Sequence, residues 1–364
     1  MKVALVHYWL VGMRGGEKVL AALADLFPQA HIYTHVLDRL RLDPVLAERT
    51  IHTTFINSLP RAQRWYKNYL PFMPLALEEL DLRDYDLVIS SESGPAKGVL
   101  TRPDALHVCY CHSPMRYIWD LYPEYRQHAG RLRRLLFAPL AHYLRQWDVS
   151  SAARVDHFVA NSAFVRQRIR KFYRREATVI YPPVNTGFWS AGTCEPGQYF
   201  LFVGELVPYK RADLAIAACT ALQVPLVVVG DGPERSRLEN MAGPQVRFMG
   251  RVPDDTLRTL MGSCSALLFP GVEDFGLVPV EAMSCGKPVI ARAAGGALET
   301  VLPYKTGLFF SEPSIKAVVD AITEFQALET QFIKTDLQAH AEKFDTQAFN
   351  VSIRDFITQA QADL

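Results

Sequence analysis

Two glutamates, Glu273 and Glu281, stand eight positions apart in the stretch GVEDFGLVPVEAMSCGKPVIA, with Gly276 between them. The apolar run SALLFP just before it reads as a strand, and the residues from about Val278 onward read as a helix. A glycine at such a turn lets the backbone approach a ligand closely, and the first turn of a helix offers free N–H groups to an anion. A diphosphate fits that setting. A second strand-loop-helix stretch, FVGELVPYKRADLAI, carries Lys210 with Arg211 beside it. A fixed cation there can stabilise negative charge without any proton transfer. Two further strand ends carry a glycine loop, Gly12, Gly15 and Gly16, and a histidine, His112.

These residues need rigid elements to position them. Short apolar runs at 3–10, 86–91, 106–111, 157–162 and 178–182 predict strands in the first half of the chain, and runs at 199–205, 225–232, 246–250, 265–270 and 288–291 predict strands in the second. Helix-length segments such as Arg211–Ala221 and Asp255–Cys264 separate them. Continuous apolar strands of this kind belong to parallel sheets covered on both faces, so the fold class is α/β. The chain of 364 residues suits two domains, and the cluster of Pro, Asn and Gly in 181–198 marks the break. We expect one domain over 1–182, a second over 183–344, and a helical tail over 345–364 that packs back onto the first. Two doubly wound sheets facing a cleft would bind ligands at the C-terminal edges of their strands.

The stretch EDFGLVPVEA resembles the signature of retaining, nucleotide-sugar-dependent glycosyltransferases of family 4, which have the GT-B fold of two Rossmann-like domains. The resemblance extends over most of the chain and implies a role for each motif. Glu273 would accept hydrogen bonds from hydroxyls of the transferred sugar, and Glu281 would hold the nucleotide ribose. The amides around Phe275, Gly276, Leu277 and Val278 would cradle the diphosphate, with Lys210 against it. The family often has an arginine at the position of Glu205, and Arg211 would supply that charge here. Gly15 and Gly16 would approach the diphosphate from the first domain, and His112 would contact the donor sugar. Gly250 and Arg251 fall on a loop that borders the nucleotide base, and Ser162 either caps a helix or touches the donor. The segment YCHSPMRYIWDLY is similar to a subgroup enriched in mannosyltransferases of surface-polysaccharide assembly, which implies acceptor or sugar contacts for Arg116, Trp119 and Asp120.

Composition narrows the setting. The net charge of +1 divides into +8 over residues 1–182 (25 Lys and Arg against 17 Asp and Glu) and −7 over the remainder (14 against 21). The basic half suits phosphate-bearing or anionic partners. Residues 61–77, 131–147 and 166–175 mix Arg and Lys with aromatics and leucines, as helices resting on an anionic membrane do. The six cysteines form no CxxC pair and read as reduced, buried thiols, which suggests a cytoplasmic protein. No apolar run reaches the ~18 residues of a spanning helix. Asp84-Tyr85-Asp86 has the DxD form of a metal site but precedes its strand, at the wrong edge, so no metal and no cofactor beyond the donor are expected. Nor is there a nucleic-acid recognition motif.

The expectation is therefore a hexosyltransferase, with GDP-mannose the favoured donor and a lipid-linked glycan the acceptor, at the inner face of the cytoplasmic membrane. A UDP-sugar donor, or a sugar-nucleotide 2-epimerase built on the same fold, stays open at this point.

Overall fold

A computed structural model describes residues 1–127, 130–192, 195 and 197–362, except for the side chains of 131–133. The chain divides into two compact units, Met1–Pro183 with Phe349–Leu364, and Val184–Ala348.

Among the described residues the first unit holds a seven-stranded sheet. Its strands are β1 (Val3–His7), β2 (His31–Thr34), β3 (Ile51–Thr53), β4 (Leu87–Glu92), β5 (Leu106–Cys111), β6 (His157–Ala160) and β7 (Ala177–Val179). They lie in the order β3-β2-β1-β4-β5-β6-β7, all parallel. The period-two geometry of β1 sends Val3 and Leu5 to one face, against Leu20 and Leu23 of the helix Gly15–Leu26. Ala4 and Val6 go to the other face, against Leu144 and Trp147 of the helix Arg131–Ala152. Both faces are thus covered, which is why the strands are apolar throughout. The last helix, Thr346–Ala362, adds Phe349, Ile353 and Ile357 to the first of these cores. Each large apolar side chain so buried contributes roughly 1.5–3 kcal/mol.

The second unit holds β8 (Phe200–Val203), β9 (Leu226–Val229), β10 (Val246–Gly250), β11 (Ala266–Phe269), β12 (Val289–Arg292) and β13 (Gly307–Phe310), again parallel, in the order β10-β9-β8-β11-β12-β13. In each sheet the strand order reverses once, between β1 and β4 and between β8 and β11. In sheets of this kind ligands bind outside the C-terminal ends of the strands at such a reversal.

Three strands escaped the sequence reading. β2 and β3 are short and carry His31 and His52, and β13 follows a turn without a long apolar run. The first strand stops at His7 rather than running to residue 10, because Leu10 leaves the β1 ladder to bridge Leu37. Residues 61–77 do not make one helix. Pro71 and Pro74 break the segment into Ala62–Trp65, a 3-10 stretch Tyr66–Phe72 and Met73–Glu78. Five cysteines, Cys109, Cys111, Cys219, Cys264 and Cys285, are free and buried, and Cys194 lies outside the described residues. Among the described residues no helix is long and apolar enough to cross a membrane.

Candidate active site

In the second unit, the chemistry-bearing residues gather at the point where the strand order reverses. After β8 the chain runs through Gly204 and Glu205 into a 3-10 turn, Pro208–Lys210. After β11 it runs through Gly271 to Glu273. There Lys210 Nζ lies 2.8 Å from Glu273 Oε1. Burial by itself would depress the Lys210 pKa, but the Glu273 carboxylate outweighs it and holds the ammonium above its ordinary value. The side chain is therefore a permanent cation at neutral pH.

Glycines set this geometry by letting backbones close. A Cβ on Gly204 would stand 3.0 Å from Lys210 Cδ, and one on Gly271 would stand 2.8 Å from Lys210 Cα. Gly296 N–H donates to the Glu273 carbonyl at 2.9 Å, while a Cβ on Gly296 would lie 2.3 Å from Phe275 Cα. The pair Gly295-Gly296 after β12 thus clamps the loop that carries Glu273 and Phe275. Gly276 takes φ +87°, left-handed backbone that favours glycine, and opens the helix Leu277–Ser284. The N–H groups of Leu277 and Val278 lie in its first turn, without intrahelical acceptors. Pro279 follows at no cost in hydrogen bonds. Glu281, farther along the same helix, is buried.

Arg211, also in left-handed backbone, turns its guanidinium to Asp213, with Nε to Oδ1 and Nη2 to Oδ2 both 3.0 Å. Much of its charge is answered locally. Gly250 closes β10, with φ +67° and its carbonyl accepting the Gly230 N–H at 2.8 Å, and Arg251 after it is exposed.

In the first unit, Gly15 and Gly16 form the first turn of their helix, where the Glu17 carboxylate accepts the Arg14 N–H at 3.1 Å. A Cβ on Gly16 would lie 2.4 Å from the Tyr8 hydroxyl. His112 follows β5, its backbone N–H held by the Glu92 carbonyl at 2.8 Å and its Nε2 2.8 Å from Ser91 Oγ. Burial pushes its pKa down to about 4, so the ring is neutral near pH 7. Ser162 caps the helix Ala163–Tyr173, its hydroxyl accepting the Val165 N–H at 3.0 Å.

Trp119 and Asp120 point to partners inside the first unit. Trp119 Nε1 donates to Asp148 Oδ2 at 2.7 Å and its ring stacks on Phe172, while Asp120 is paired with Arg168. Arg116 is half-buried on the same segment. Asp148 and Glu92 in turn flank a fully buried Lys97. Among the described residues no group of three or more His, Cys, Asp or Glu side chains could hold a metal ion. Asp86 of the DxD stretch accepts the Lys2 N–H and pairs with Arg102.

Family models match both units. The description "Glycosyltransferase Family 4" matches residues 13–188, and "Glycosyl transferases group 1" matches residues 188–344. The chain belongs to family 4 of the glycosyltransferases and has the GT-B fold. An uncharacterised glycosyltransferase of Methanocaldococcus jannaschii is 31% identical over 46% of this chain, and the match spans only about half (49%) of that relative. Human alpha-1,3/1,6-mannosyltransferase ALG2 is 27% identical over 83% of this chain and 82% of its own length. A GDP-mannose-dependent alpha-mannosyltransferase of Mycobacterium tuberculosis is 38% identical over 29% of this chain and 28% of its own. Among solved structures, Anabaena HepE in complex with UDP-glucose superposes with a TM-score of 0.72 at 19% identity, covering 99% of this chain and 100% of that one.

Beside His112 stand two groups that motif reading missed. His7 and Ser91, at the ends of β1 and β4, are joined to His112 by hydrogen bonds. The available signal was a polar residue closing each of two apolar strands.

Proposed function

We propose that the enzyme transfers a hexose, mannose from GDP-mannose, to a hydroxyl of a lipid-linked oligosaccharide or polysaccharide intermediate, with retention of the α configuration. The observation that carries this reading is the Lys210–Glu273 pair beside the Gly276 turn, a cation and a carboxylate at one strand-order reversal. In this reading Lys210, with help from Arg211 and the amides of the Gly276 turn, neutralises the departing diphosphate, and Glu273 and His112 hold the sugar. A carboxylate engaged with sugar hydroxyls is not placed to attack the anomeric carbon. Substitution therefore proceeds on the front face: the acceptor oxygen bonds to the anomeric carbon as the bond to the phosphate oxygen breaks, and the acceptor proton passes to that phosphate. The course needs no divalent ion. Mannosyl transfer is supported by the names of the relatives that match most of the chain or carry the GDP-mannose label. A lipid-side acceptor is supported by Leu135 and Leu136, exposed beside Arg134 on the helix Arg131–Ala152.

The test is calorimetry and thermal shift with GDP-, UDP-, ADP- and dTDP-sugars, with and without EDTA. A ligand at ~100 times its Kd stabilises the fold by roughly 2.7 kcal/mol. Stabilisation by GDP-mannose that survives EDTA is the expected result. Preference for a UDP-sugar would discard the mannosyl assignment, and release of free sugar nucleotide isomers without acceptor would favour epimerisation.

A further inference from the structure

Three adjacent strands deliver a chain of polar side chains to one place. His7 closes β1, Ser91 stands opposite it in β4, and His112 follows β5. Ser91 Oγ lies 3.0 Å from His7 Nδ1 and 2.8 Å from His112 Nε2. His7 and Ser91 are fully buried. Both imidazoles have pKa values lowered by burial, so both are neutral near pH 7.

Proton counting limits what this chain can be. The serine hydroxyl has one proton to give, and two ring nitrogens face it. The oxygen could accept an N–H from both rings, but its own buried proton would then have no acceptor among the described residues, so one contact is N–H to Oγ and the other is O–H to a bare nitrogen. If His7 Nδ1–H donates to Ser91, then Ser91 donates to His112 Nε2 and the proton of His112 sits on Nδ1. In the reverse order His112 carries its proton on Nε2, and His7 carries one on its own Nε2.

The surroundings of His7 decide between the two. His7 Nε2 is shut off from solvent and has no hydrogen-bond partner among the described residues. The reverse order would bury an unpaired N–H there, the rarer kind of defect, whereas the first order leaves only a lone pair.

We propose that His7 and Ser91 are positioning residues that lock His112 as the Nδ1–H tautomer, so that it donates a hydrogen bond to an oxygen of the bound nucleotide sugar. The inference rests on the transferase reading for its ligand, and it deepens that reading. His112 is a donor and not a base, so the acceptor proton must go elsewhere, to the leaving phosphate. His112 is partly exposed, and Nδ1 has no hydrogen-bond partner among the described residues, as a ligand contact requires.

The experiment is nitrogen-15 NMR of the full chain labelled at histidine, in which protonated and bare ring nitrogens resonate in separate ranges, with His112→Asn used for assignment. Expected are a protonated Nδ1 and a bare Nε2 on His112. Ser91→Ala should mix the two tautomers and lower kcat on the order of tenfold, the scale on which removing an orienting partner acts on a metal-bound histidine. KM should change less. His7→Asn, whose amide N–H can stand where Nδ1–H stood, should keep the His112 signature. A wild-type His112 protonated on Nε2, or Ser91→Ala with an unchanged tautomer, overturns the proposal. If the tautomers are as stated but His112→Ala transfers at the normal rate, the lock stands and it is the site reading that fails.

Discussion

Lys210 Nζ and Glu273 Oε1 are 2.8 Å apart although they belong to loops from two different strands, β8 and β11. Both side chains are mostly shielded, at 15% and 24% exposure, so neither charge is well screened by water. Removing one partner leaves the other partly buried and unanswered. Lys210→Ala and Glu273→Gln should each lower the transfer rate by roughly 10²–10³, the scale of losing one preorganised electrostatic contact. The double variant should lose much less than the product of the two, because the residues act as a unit. Steady-state rates on the four proteins measure this, and full additivity would mean that the pair does not work together.

Gly16 has ordinary backbone dihedrals, so its need for glycine is purely a matter of space. A methyl group there meets the buried Tyr8 hydroxyl. Gly16→Ala should cost about 1–3 kcal/mol, as overpacking does, and Tyr8→Phe added to it should restore most of the loss. Gly296→Ala should have no such remedy, because its methyl meets the backbone of Phe275. Urea unfolding of the single and double variants separates the two situations.

The ends of β8 and β11 were legible in the sequence because strand, glycine and helix follow one another within a few residues there. The Lys210–Glu273 contact was not, since it depends on β8 and β11 being neighbours in the sheet. The same holds for His7 and Ser91, which meet only through the β1–β4 register. Trp119 and Asp120 show the same limit from the other side. An aromatic and an acid after a motif histidine look like ligand contacts, but their partners Asp148 and Arg168 lie on later helices that the local pattern does not reveal.

Stability should depend on pH in two opposing ways. Burial raises the pKa of Glu17 from 4.5 to about 7, so its contribution is full below about 4.5 and lost as pH rises through about 7. Burial lowers His35, His107 and His112 from 6.5 to about 4, so their contribution is full above 6.5 and lost as pH falls toward 4. Glu17→Gln keeps an acceptor for the Arg14 N–H but cannot ionise. Its Tm should exceed that of the wild type above pH 7 and converge with it near pH 4.5. Both proteins should weaken on acidification below about 6.5. A Glu17→Gln protein no more stable than wild type at pH 8 would show that burial does not raise the carboxyl's pKa.

The segment that bears His112, Trp119 and Asp120 is anchored by a buried ionic cluster. Lys97 Nζ lies 2.7 Å from Glu92 Oε1 and is also bonded to Asp148, and all three side chains are fully buried. Despite burial, the two carboxylates hold the Lys97 pKa above its ordinary value. Glu92 supplies the carbonyl that fixes His112 N–H, and Asp148 accepts from Trp119. Lys97→Met leaves two buried carboxylates facing each other and should cost about 3–5 kcal/mol. For a unit of this size that lowers Tm by about 10 °C. Adding Glu92→Gln and Asp148→Asn removes the uncompensated charge and should recover part of the stability. Because those changes leave the carbonyl of residue 92 in place, His112 should stay anchored and transfer should survive in the triple variant. Calorimetric unfolding with parallel rate measurements tests both halves, and a Lys97→Met protein as stable as wild type would mean that the two carboxyls are not left charged when the lysine is removed.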